Sequence, residues 1–532
     1  MTTITLTADE FSALTSERDA IRSELATTIA QRDALSSQLK TVSVERDLLK
    51  EKLAAQLRQL FAAKSEARGT EQKDLFLNEA EALAPTAATP IAEEVAAADI
   101  EVAGHTRKKR GRKPLDPNLP RDIIRHELPE SERVCAHDGA VLVEIGVEVS
   151  EQLDIIPQQV RVIQHQRVKY ACPCCDQGIK VTPAPARIIP KGLLTESALA
   201  WVATSKYMDA LPLYRQAALL GRFGGDLSRT TLAASMVRAG RAVQPIINLL
   251  RDHLLDADLV HADETVIQVL KEPGRAAQTK SYLWAQVSGT GPPIRLFSYA
   301  PGRGGTHAAT LYAGIRQGTV LMSDGYEVYN GIAQTNGLTH LGCWAHCRRY
   351  FVEAEAVIPK AARGPEQLAT QFIATIGELY AVESRARDLS TDARQAIRAE
   401  RSRPILARIE SMLLQHLHAV VPNSLLGKAL HYLSAQWPKL IRYVENGAWP
   451  IDNNLCENAI RPFVVGRRNW LFSDTVGGAN ASANLYSLIE TCKANRIDPY
   501  GYLVRLFRAL PFAQTADDFE ALLPWHLTQP AT

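Results

Sequence analysis

The apolar residues between positions 8 and 62 recur with the seven-residue period of a coiled coil. Glu-Arg-Asp or Gln-Arg-Asp triplets recur every fourteen residues, so an arginine enters the apolar seam at regular intervals. The fifteen seam positions, most of them apolar, are Phe11, Leu14, Arg18, Ile21, Leu25, Thr28, Arg32, Leu35, Leu39, Val42, Arg46, Leu49, Leu53, Gln56 and Leu60. The pattern predicts a coiled coil over residues 8–62 and therefore a homo-oligomer. A single amphipathic helix packed on its own domain is the alternative.

From residue 256 the pattern changes to short apolar runs of the kind that form strands. One run ends at Asp263 and a later one at Asp324, so each places a carboxylate at the end of a strand. Two more strands over 281–287 and 294–298, a helix over 308–315, a strand over 338–342 and a helix from Trp344 fill the pattern. Three strands, a helix and two further strands predict a mixed α/β domain over residues 256–475.

A helical period dominates three other stretches. The pattern predicts helices over residues 190–255, with breaks at Pro212 and at Gly224-Gly225. A helix start at Ser228 fits either a DNA-binding helix-turn-helix or an ordinary helical domain. Residues 360–445 form a large helical insertion with Arg and Gln on its polar faces, and residues 476–532 form a helical tail. The first stretch is a candidate DNA-binding region.

A third acid, Glu457, lies on a helical segment that begins near Asp452, the residue expected to cap it. The residues on one face of this helix are Asn453, Asn454, Glu457 and Arg461. Acids from distant parts of a chain repel one another unless a cation is bound. Two divalent ions, about 3.5–4 Å apart, would resolve the repulsion among Asp263, Asp324 and Glu457. An exposed helix face with a Glu457–Arg461 pair is the alternative.

Composition narrows the class of protein. The chain has 532 residues, of which 46% are hydrophobic and 22% charged, which is a soluble, globular composition for several domains. Its start lacks a signal-like pattern, and no apolar run approaches 18 residues, so we expect a cytoplasmic protein without a membrane span. The net charge of +2 by itself does not indicate a nucleic-acid-binding protein.

Charge is nevertheless concentrated in one segment, residues 105–120, which follows a linker over 63–104 that becomes rich in Ala, Pro and Glu. Its six cationic residues are Arg107, Lys108, Lys109, Arg110, Arg112 and Lys113. Arg110-Gly111-Arg112 resembles the centre of an AT-hook, but Lys113 stands where proline is usual. The segment is expected to contact DNA phosphates, and a solvated basic tether is the alternative.

Cysteine spacing predicts a small zinc-finger-like domain over residues 121–185. Cys135 lies three residues before Asp138, and Cys172 lies three before Cys175, a spacing typical of zinc ligands. Between them, residues 160–170 alternate as a half-exposed strand would. A further pair, Cys343 and His346, has the spacing of zinc ligands, but no second pair of suitable ligands follows nearby in sequence. We therefore expect these two residues to pack or hydrogen-bond near the three acids.

Together these segments resemble the insertion-sequence 66 transposases, bacterial enzymes of the Asp-Asp-Glu class with a ribonuclease-H-like catalytic core. The resemblance lies in His261-Ala262-Asp263-Glu264-Thr265, Ser323-Asp324-Gly325-Tyr326, Cys343-Trp344-Ala345-His346 with Arg348-Arg349, and Asp452-Asn453-Asn454 through Glu457 to Gly466-Arg467-Arg468-Asn469-Trp470-Leu471-Phe472. It implies a multidomain α/β protein with a coiled coil, a zinc finger, and Asp263, Asp324 and Glu457 as the catalytic triad.

The resemblance also implies cofactors and partners. Two Mg²⁺ or Mn²⁺ ions would bind the triad, and Zn²⁺ is a further candidate. Asp138 occupies the fourth ligand position of the finger, so that His137, Asp138 or Cys174 completes the zinc site, or the site has lost its metal. Arg461, Arg467 and Arg468 join the basic segment as candidate DNA contacts. The partners are the terminal inverted repeats and target DNA, with accessory proteins of the same element, and the implied location is the cytoplasm, at the nucleoid. A metal-dependent nuclease without strand transfer and an inactive DNA-binding protein are the alternatives.

Overall fold

The structure is a computed structural model that describes residues 7, 9, 12, 13, 15–35, 38, 123, 125, 140, 159–170, 180–359 and 363–527. Residues 15–35 are helical and exposed, which agrees with the helix that the seven-residue period predicts. The basic segment and the four predicted zinc ligands lie outside the described residues. Chain contacts separate one unit, residues 88–164 and 222–225, from a second unit that holds the elements described below.

A mixed sheet forms the centre of the second unit. Its strands are β3 (Leu259–Lys271), β4 (Lys280–Ser288), β5 (Arg295–Ala300), β6 (Val320–Ser323), β7 (Thr339–Gly342) and β8 (Ser473–Thr475); the two-residue strands β1 (Lys169–Tyr170) and β2 (Lys180–Val181) pair separately. The strand order is β5-β4-β3-β6-β7, and β8 pairs with the far half of β3. The pairs β3–β4 and β4–β5 are antiparallel, whereas β3–β6 and β6–β7 are parallel.

The register of the parallel strands places Asp263, in the middle of β3, level with the carboxyl ends of β6 and β7. His261 pairs with Met322, and continuing that register by two residues brings Asp263 level with Asp324. Ser323 in turn pairs with Gly342, so the residue after each strand, Asp324 or Cys343, lies at the same edge of the sheet. Since parallel neighbours place their carboxyl ends together, this edge collects side chains from distant segments.

Helices cover the sheet. The helices that precede the sheet in sequence are α1 (Glu196–Tyr207), α2 (Leu213–Arg222), α3 (Arg229–Ala242) and α4 (Gln244–Leu255), and those between its strands or directly after β7 are α5 (Gly305–Leu311), α6 (Val328–Asn336) and α7 (Trp344–Ala356). The next group is α8 (Leu368–Arg385), α9 (Thr391–Ile397), a π-helical turn (Arg398–Ser402), α10 (Arg403–His416), α11 (Leu425–Leu440) and a 3-10 turn (Ile441–Glu445). The last group is α12 (Asn454–Trp470), α13 (Val476–Ala494), α14 (Pro499–Ala509), a 3-10 turn (Leu510–Phe512) and α15 (Ala516–Glu520). None of the helices within the described ranges has the length and apolar composition needed to cross a membrane.

Helix α13 packs closely on both the sheet and α3. A Cβ on Gly240 would lie 2.6 Å from the Ala481 backbone, so only glycine allows α3 to approach at this point. Asn484 of α13 donates to the Gly240 carbonyl at 2.8 Å, and Ser487 Oγ accepts from the Phe297 amide of β5 at 2.8 Å. The main apolar core therefore lies between the sheet and helices drawn from both ends of the described chain.

A second apolar core joins α7 to the helices over residues 368–445. Phe351 stacks on Phe372 with ring centroids 4.5 Å apart, and the Trp344 indole donates to the Leu440 carbonyl at 2.9 Å. Arg398, only 1% exposed, forms a bidentate pair with Glu383 at 2.6 and 2.8 Å. These helices therefore have their own core and share α7 with the sheet.

Several predictions of local structure need correction. Residues 160–168 are exposed and are not part of a strand; within residues 160–170 only Lys169 and Tyr170 form one, paired with β2. Asp452 does not cap α12. The capping residue is Asn453, and Asp452 instead accepts from the Asn454 backbone at 3.1 Å. Strand β3 does not end at Asp263 but continues to Lys271, because its later residues pair with β4 and β8. Neither α6 nor β8 was predicted.

Candidate active site

Asp263, in the middle of β3, lies level with Asp324, which follows the carboxyl end of β6. Asp263 Oδ1 accepts from the Glu264 amide at 2.8 Å, and Asp324 Oδ1 accepts from the Tyr326 amide at 2.9 Å. Burial raises the pKa of Asp263 well above its ordinary value, and the charges of Glu264, Asp324 and Glu457 raise it further. Burial likewise raises the pKa of Asp324. The sheet therefore brings together acids that resist simultaneous ionisation.

Asn453 fixes the start of α12 against the strand that carries Asp263. Its side-chain amide donates to the Ala262 carbonyl at 2.9 Å, and its Oδ1 lies 3.0 Å from His261 Nδ1. Its backbone amide donates to Cys343 Sγ at 3.2 Å. His261 is 2% exposed, burial lowers its pKa to about 4, and its contact with Asn453 satisfies it as a core histidine.

Glu457 lies one turn into α12 and is buried, with 4% of its side chain exposed. His346 Nδ1 is 3.3 Å from Oε1, and Arg349 Nη2 is 3.5 Å from Oε2. Because its charge raises the pKa of Asp263, Glu457 belongs to the same electrostatic cluster as the two aspartates. The three acids predicted from distant segments therefore come together in the fold.

Glu264 is a fourth acid of this cluster, and the sequence analysis gave it no role. Two nitrogens of Arg303 lie 2.6 Å from its Oε1, and the Tyr329 hydroxyl donates to its Oε2. The Arg303 guanidinium also lies 3.8 Å from the centroid of the Tyr326 ring. Glu264 follows Asp263 directly, but its partners lie in later segments of the chain. Its position next to Asp263 was therefore the one feature of the sequence that could have indicated a role.

The loop after Asp324 is held by the helices over residues 368–445. A Cβ on Gly325 would lie 2.6 Å from the Tyr432 ring of α11, so the loop and the helix are in close contact. The positive charges of Arg303, Arg349 and Lys439 lower the pKa of Asp324 and offset part of the effect of burial. Cationic side chains from three segments therefore face the acids.

The candidate DNA contacts on α12 differ in exposure. Arg468 is exposed, and Arg461 is half-buried. Arg467 is half-buried as well and donates to the Val266 carbonyl of β3, so part of its guanidinium supports the strand. The structure describes neither residues 107–113 nor Cys135, Asp138, Cys172 and Cys175.

A second set of side chains, which could hold a metal ion, adjoins the acids. Cys343 Sγ, His346 and Glu457 offer ligand atoms that all lie within 4.8 Å of one another. Cys343 is 1% exposed, and burial raises the pKa of its thiol well above the ordinary value. The sequence analysis expected Cys343 and His346 to pack or hydrogen-bond and did not anticipate Glu457 beside them, because Glu457 reaches them only through the fold.

Family models match most of the chain. The model described as Transposase IS66 family matches residues 191–481, and the IS66 C-terminal element matches 487–525. The zinc-finger binding domain of transposase IS66 matches residues 132–176, and the model described as Transposase C of IS166 homeodomain matches 48–124. The matches extend over the predicted catalytic region and most of the predicted zinc-finger domain, and over residues 48–62 of the predicted coiled coil.

Curated relatives cover similar lengths. The uncharacterized protein y4qI of Sinorhizobium fredii is 34% identical over 79% of this chain and 78% of its own length. The uncharacterized protein y4jD of the same organism is 32% identical over 81% of this chain and 86% of its own length. The similarity therefore extends well beyond the acids.

Proposed function

This chain belongs to the IS66 transposase family, and we propose that it cleaves DNA at the ends of an insertion sequence and transfers the freed strand into target DNA. The observation that carries the proposal is the convergence of Asp263, Asp324 and Glu457, each from a different part of the chain. Burial and the charges of Glu264, Asp324 and Glu457 hold the pKa of Asp263 high. Such a cluster is costly unless a cation compensates it.

The residues fit divalent ions with oxygen ligands. Carboxylates are the preferred protein ligands of Mg²⁺ and also suit Mn²⁺, and we propose Asp263, Asp324 and Glu457 as the ligands of two such ions. When bound, the ions supply activation of the attacking oxygen and stabilisation of the leaving oxygen of a phosphodiester. That chemistry suits both strand cleavage and strand transfer.

Other residues of this chain would orient the acids. Asn453 holds the first turn of α12 on β3, which sets the position of Glu457. Arg303 and Tyr329 hold Glu264, so the acid next to Asp263 stays fixed and outside the ligand set that we propose. Arg349 lies beside Glu457 and would offset negative charge when a phosphate enters.

We also propose a ribonuclease-H-like catalytic core. Its support is the order β5-β4-β3-β6-β7, with antiparallel pairs on one side of β3 and parallel pairs on the other. Asp263 lies on the first strand of this sheet along the chain, and Asp324 follows the fourth. The helices over residues 368–445 separate Asp324 from Glu457 and correspond to the proposed insertion.

We also propose a role for each of the other regions of the chain. Residues 8–62 would form an oligomer through a coiled coil, 63–104 a linker, and 105–120 a phosphate contact. Residues 121–185 would form the zinc-finger domain, 190–255 a DNA-binding region, 256–475 the catalytic core and 476–532 a tail. DNA is the principal partner, accessory proteins of the element are further partners, and the proposed location is the cytoplasm, at the nucleoid.

The test uses full-length protein, labelled element-end DNA, unlabelled target DNA and Mg²⁺. We expect cleavage at the element end followed by covalently joined products, and no product from Asp263→Asn. Asp474→Asn is the matched control, because this carboxylate lies on β8 of the same sheet but is 58% exposed. Cleavage without joined products would favour a nuclease. Binding without any cleavage would favour an inactive DNA-binding protein and refute the proposal.

A further inference from the structure

His346 presents a ring nitrogen to Glu457 without forming a hydrogen bond to it. Nδ1 is buried and has no hydrogen-bond partner within the part of the chain that the structure describes. We therefore assign the ring proton to Nε2 and the lone pair to Nδ1. Two electron-rich atoms, Nδ1 and Oε1, thus face each other at 3.3 Å.

The Cys343 sulfur lies in a setting that favours a thiolate bound to a cation. It lies at the capping position of α7, where the positive end of the helix dipole favours negative charge. The backbone amides of Asn453, at 3.2 Å, and of His346 donate to it. Burial works against ionisation, so the sulfur needs a cation close by to become a thiolate.

We propose that Cys343 Sγ, His346 Nδ1 and Glu457 Oε1 bind a Zn²⁺ ion. Nitrogen and oxygen ligands at about 2.0–2.1 Å from a tetrahedral zinc lie about 3.3 Å from each other, which matches the distance from Nδ1 to Oε1. A thiolate and a carboxylate together neutralise the two charges of the ion. Three protein ligands drawn from Cys, His and Glu, with water as the fourth, are typical of open zinc sites. The His346 side chain is 16% exposed.

Zinc at this position would use one of the acids proposed for DNA cleavage, and this consequence rests on the proposed function. Sulfur and imidazole select Zn²⁺ over Mg²⁺, whereas Asp263 and Asp324 offer oxygen alone. A zinc ion held by Cys343 would occupy Glu457 and withdraw it from the Mg²⁺ ligands. The geometry therefore points to inhibition by zinc at concentrations that saturate the sulfur-containing site.

The primary test measures metal content rather than activity. Full-length wild type, Cys343→Ala, His346→Ala and Cys347→Ala are equilibrated with Zn²⁺ under reducing conditions, desalted and analysed for zinc. Cys347 is the matched control because it is also buried on α7 but faces the second core. We expect Cys343→Ala and His346→Ala to lose one zinc per chain and Cys347→Ala to lose none. Zinc bound by residues 121–185 is common to all four proteins and cancels.

Cobalt gives a second measurement of the same site. Co²⁺ in place of Zn²⁺ should give thiolate charge-transfer absorption that decreases in Cys343→Ala and is unchanged in Cys347→Ala and Asp263→Asn. Equal zinc content and equal cobalt spectra in wild type and Cys343→Ala would overturn the inference.

The inference and the proposed function fail separately. If Mg²⁺-dependent cleavage is absent while Cys343→Ala still loses a zinc, the metal site stands and the proposed function fails. If wild type cleaves, added Zn²⁺ should inhibit it, and Cys343→Ala should need at least about tenfold more Zn²⁺ for the same inhibition. Equal zinc sensitivity of cleavage in Cys343→Ala and Cys347→Ala would overturn the inhibitory role.

Discussion

Asn453 Oδ1 lies 3.0 Å from His261 Nδ1, and this contact links the helix of Glu457 to the strand of Asp263. The same amide also donates to the Ala262 carbonyl. A single buried side chain thus sets the distance between two acids that are far apart in sequence.

The first prediction concerns this link. Asn453→Ala leaves the Ala262 carbonyl and His261 without their partner, and buried unsatisfied groups of this kind cost about 1–3 kcal/mol each. We expect a lower free energy of unfolding and loss of metal-dependent cleavage. Asn469→Ala is the control, since this exposed amide on the same helix donates to the Ala210 carbonyl. Equal losses in the two variants, measured by urea unfolding, would contradict the assigned role.

The second prediction concerns the dependence of stability on pH. The folded-state pKa of Asp263 is raised, so its contribution to stability is fully present below its ordinary value of 3.8 and is lost as pH rises through the raised pKa. Without metal, Asp263→Asn should therefore melt higher than wild type, by a margin that grows from pH 4 to pH 8.

Added Mg²⁺ should reverse this order. Binding at one hundred times the Kd stabilises the folded wild type by about 2.7 kcal/mol, while the variant lacks one ligand and gains less. The exposed Asp474→Asn should follow wild type in both conditions. A metal-free difference between Asp263→Asn and wild type that shrinks with rising pH would show that the acids do not repel one another.

The third prediction concerns self-association. Ile21, Leu25 and Leu35 of the helical residues 15–35 are 57%, 58% and 64% exposed in the single chain, as expected for one strand of a coiled coil. Leu25→Asp should shift full-length protein toward monomer in sedimentation experiments. Ser23→Asp adds the same charge outside the seam and should leave the assembly intact; a monomeric wild type would exclude the coiled coil.

The fourth prediction concerns the basic segment at residues 107–113. Six cations that contact phosphates imply a slope of about −5 in log affinity against log salt concentration. Replacing all six with alanine should flatten the slope and weaken binding to every DNA sequence alike, in salt titrations by fluorescence anisotropy. A loss confined to AT-rich DNA would instead favour reading of the minor groove.

Part of the sheet was predictable because apolar runs mark where its strands begin. The run that reaches Asp263 forms only the first part of β3, the run before Asp324 forms β6, and the breaks at Pro212 and Gly224-Gly225 separate helices in the structure. Ser228 caps α3 as expected. The local pattern was sufficient here because these element starts and breaks depend on residues that are close together in sequence.

Prediction failed where the deciding partner lies far along the chain. Asp is a common helix-capping residue, yet Asn453 and not Asp452 occupies the capping position of α12. The Asn453 side chain binds β3 rather than its own helix. The three residues of β8 carry no apolar run, and only pairing with Val269 and Lys271 makes them a strand. The proximity of Glu457 to Cys343 and His346 was missed for the same reason.

The late position of β8 and α12 bears on when activity can arise during synthesis. A growing polypeptide leaves the ribosome from its N-terminus, so Asp263 and Asp324 emerge long before Glu457. An unfinished chain that stops before residue 452 has two of the three acids and lacks the helix that covers β3 and β4. We expect such fragments to cut no DNA, so that abortive translation products leave the chromosome of the cell intact.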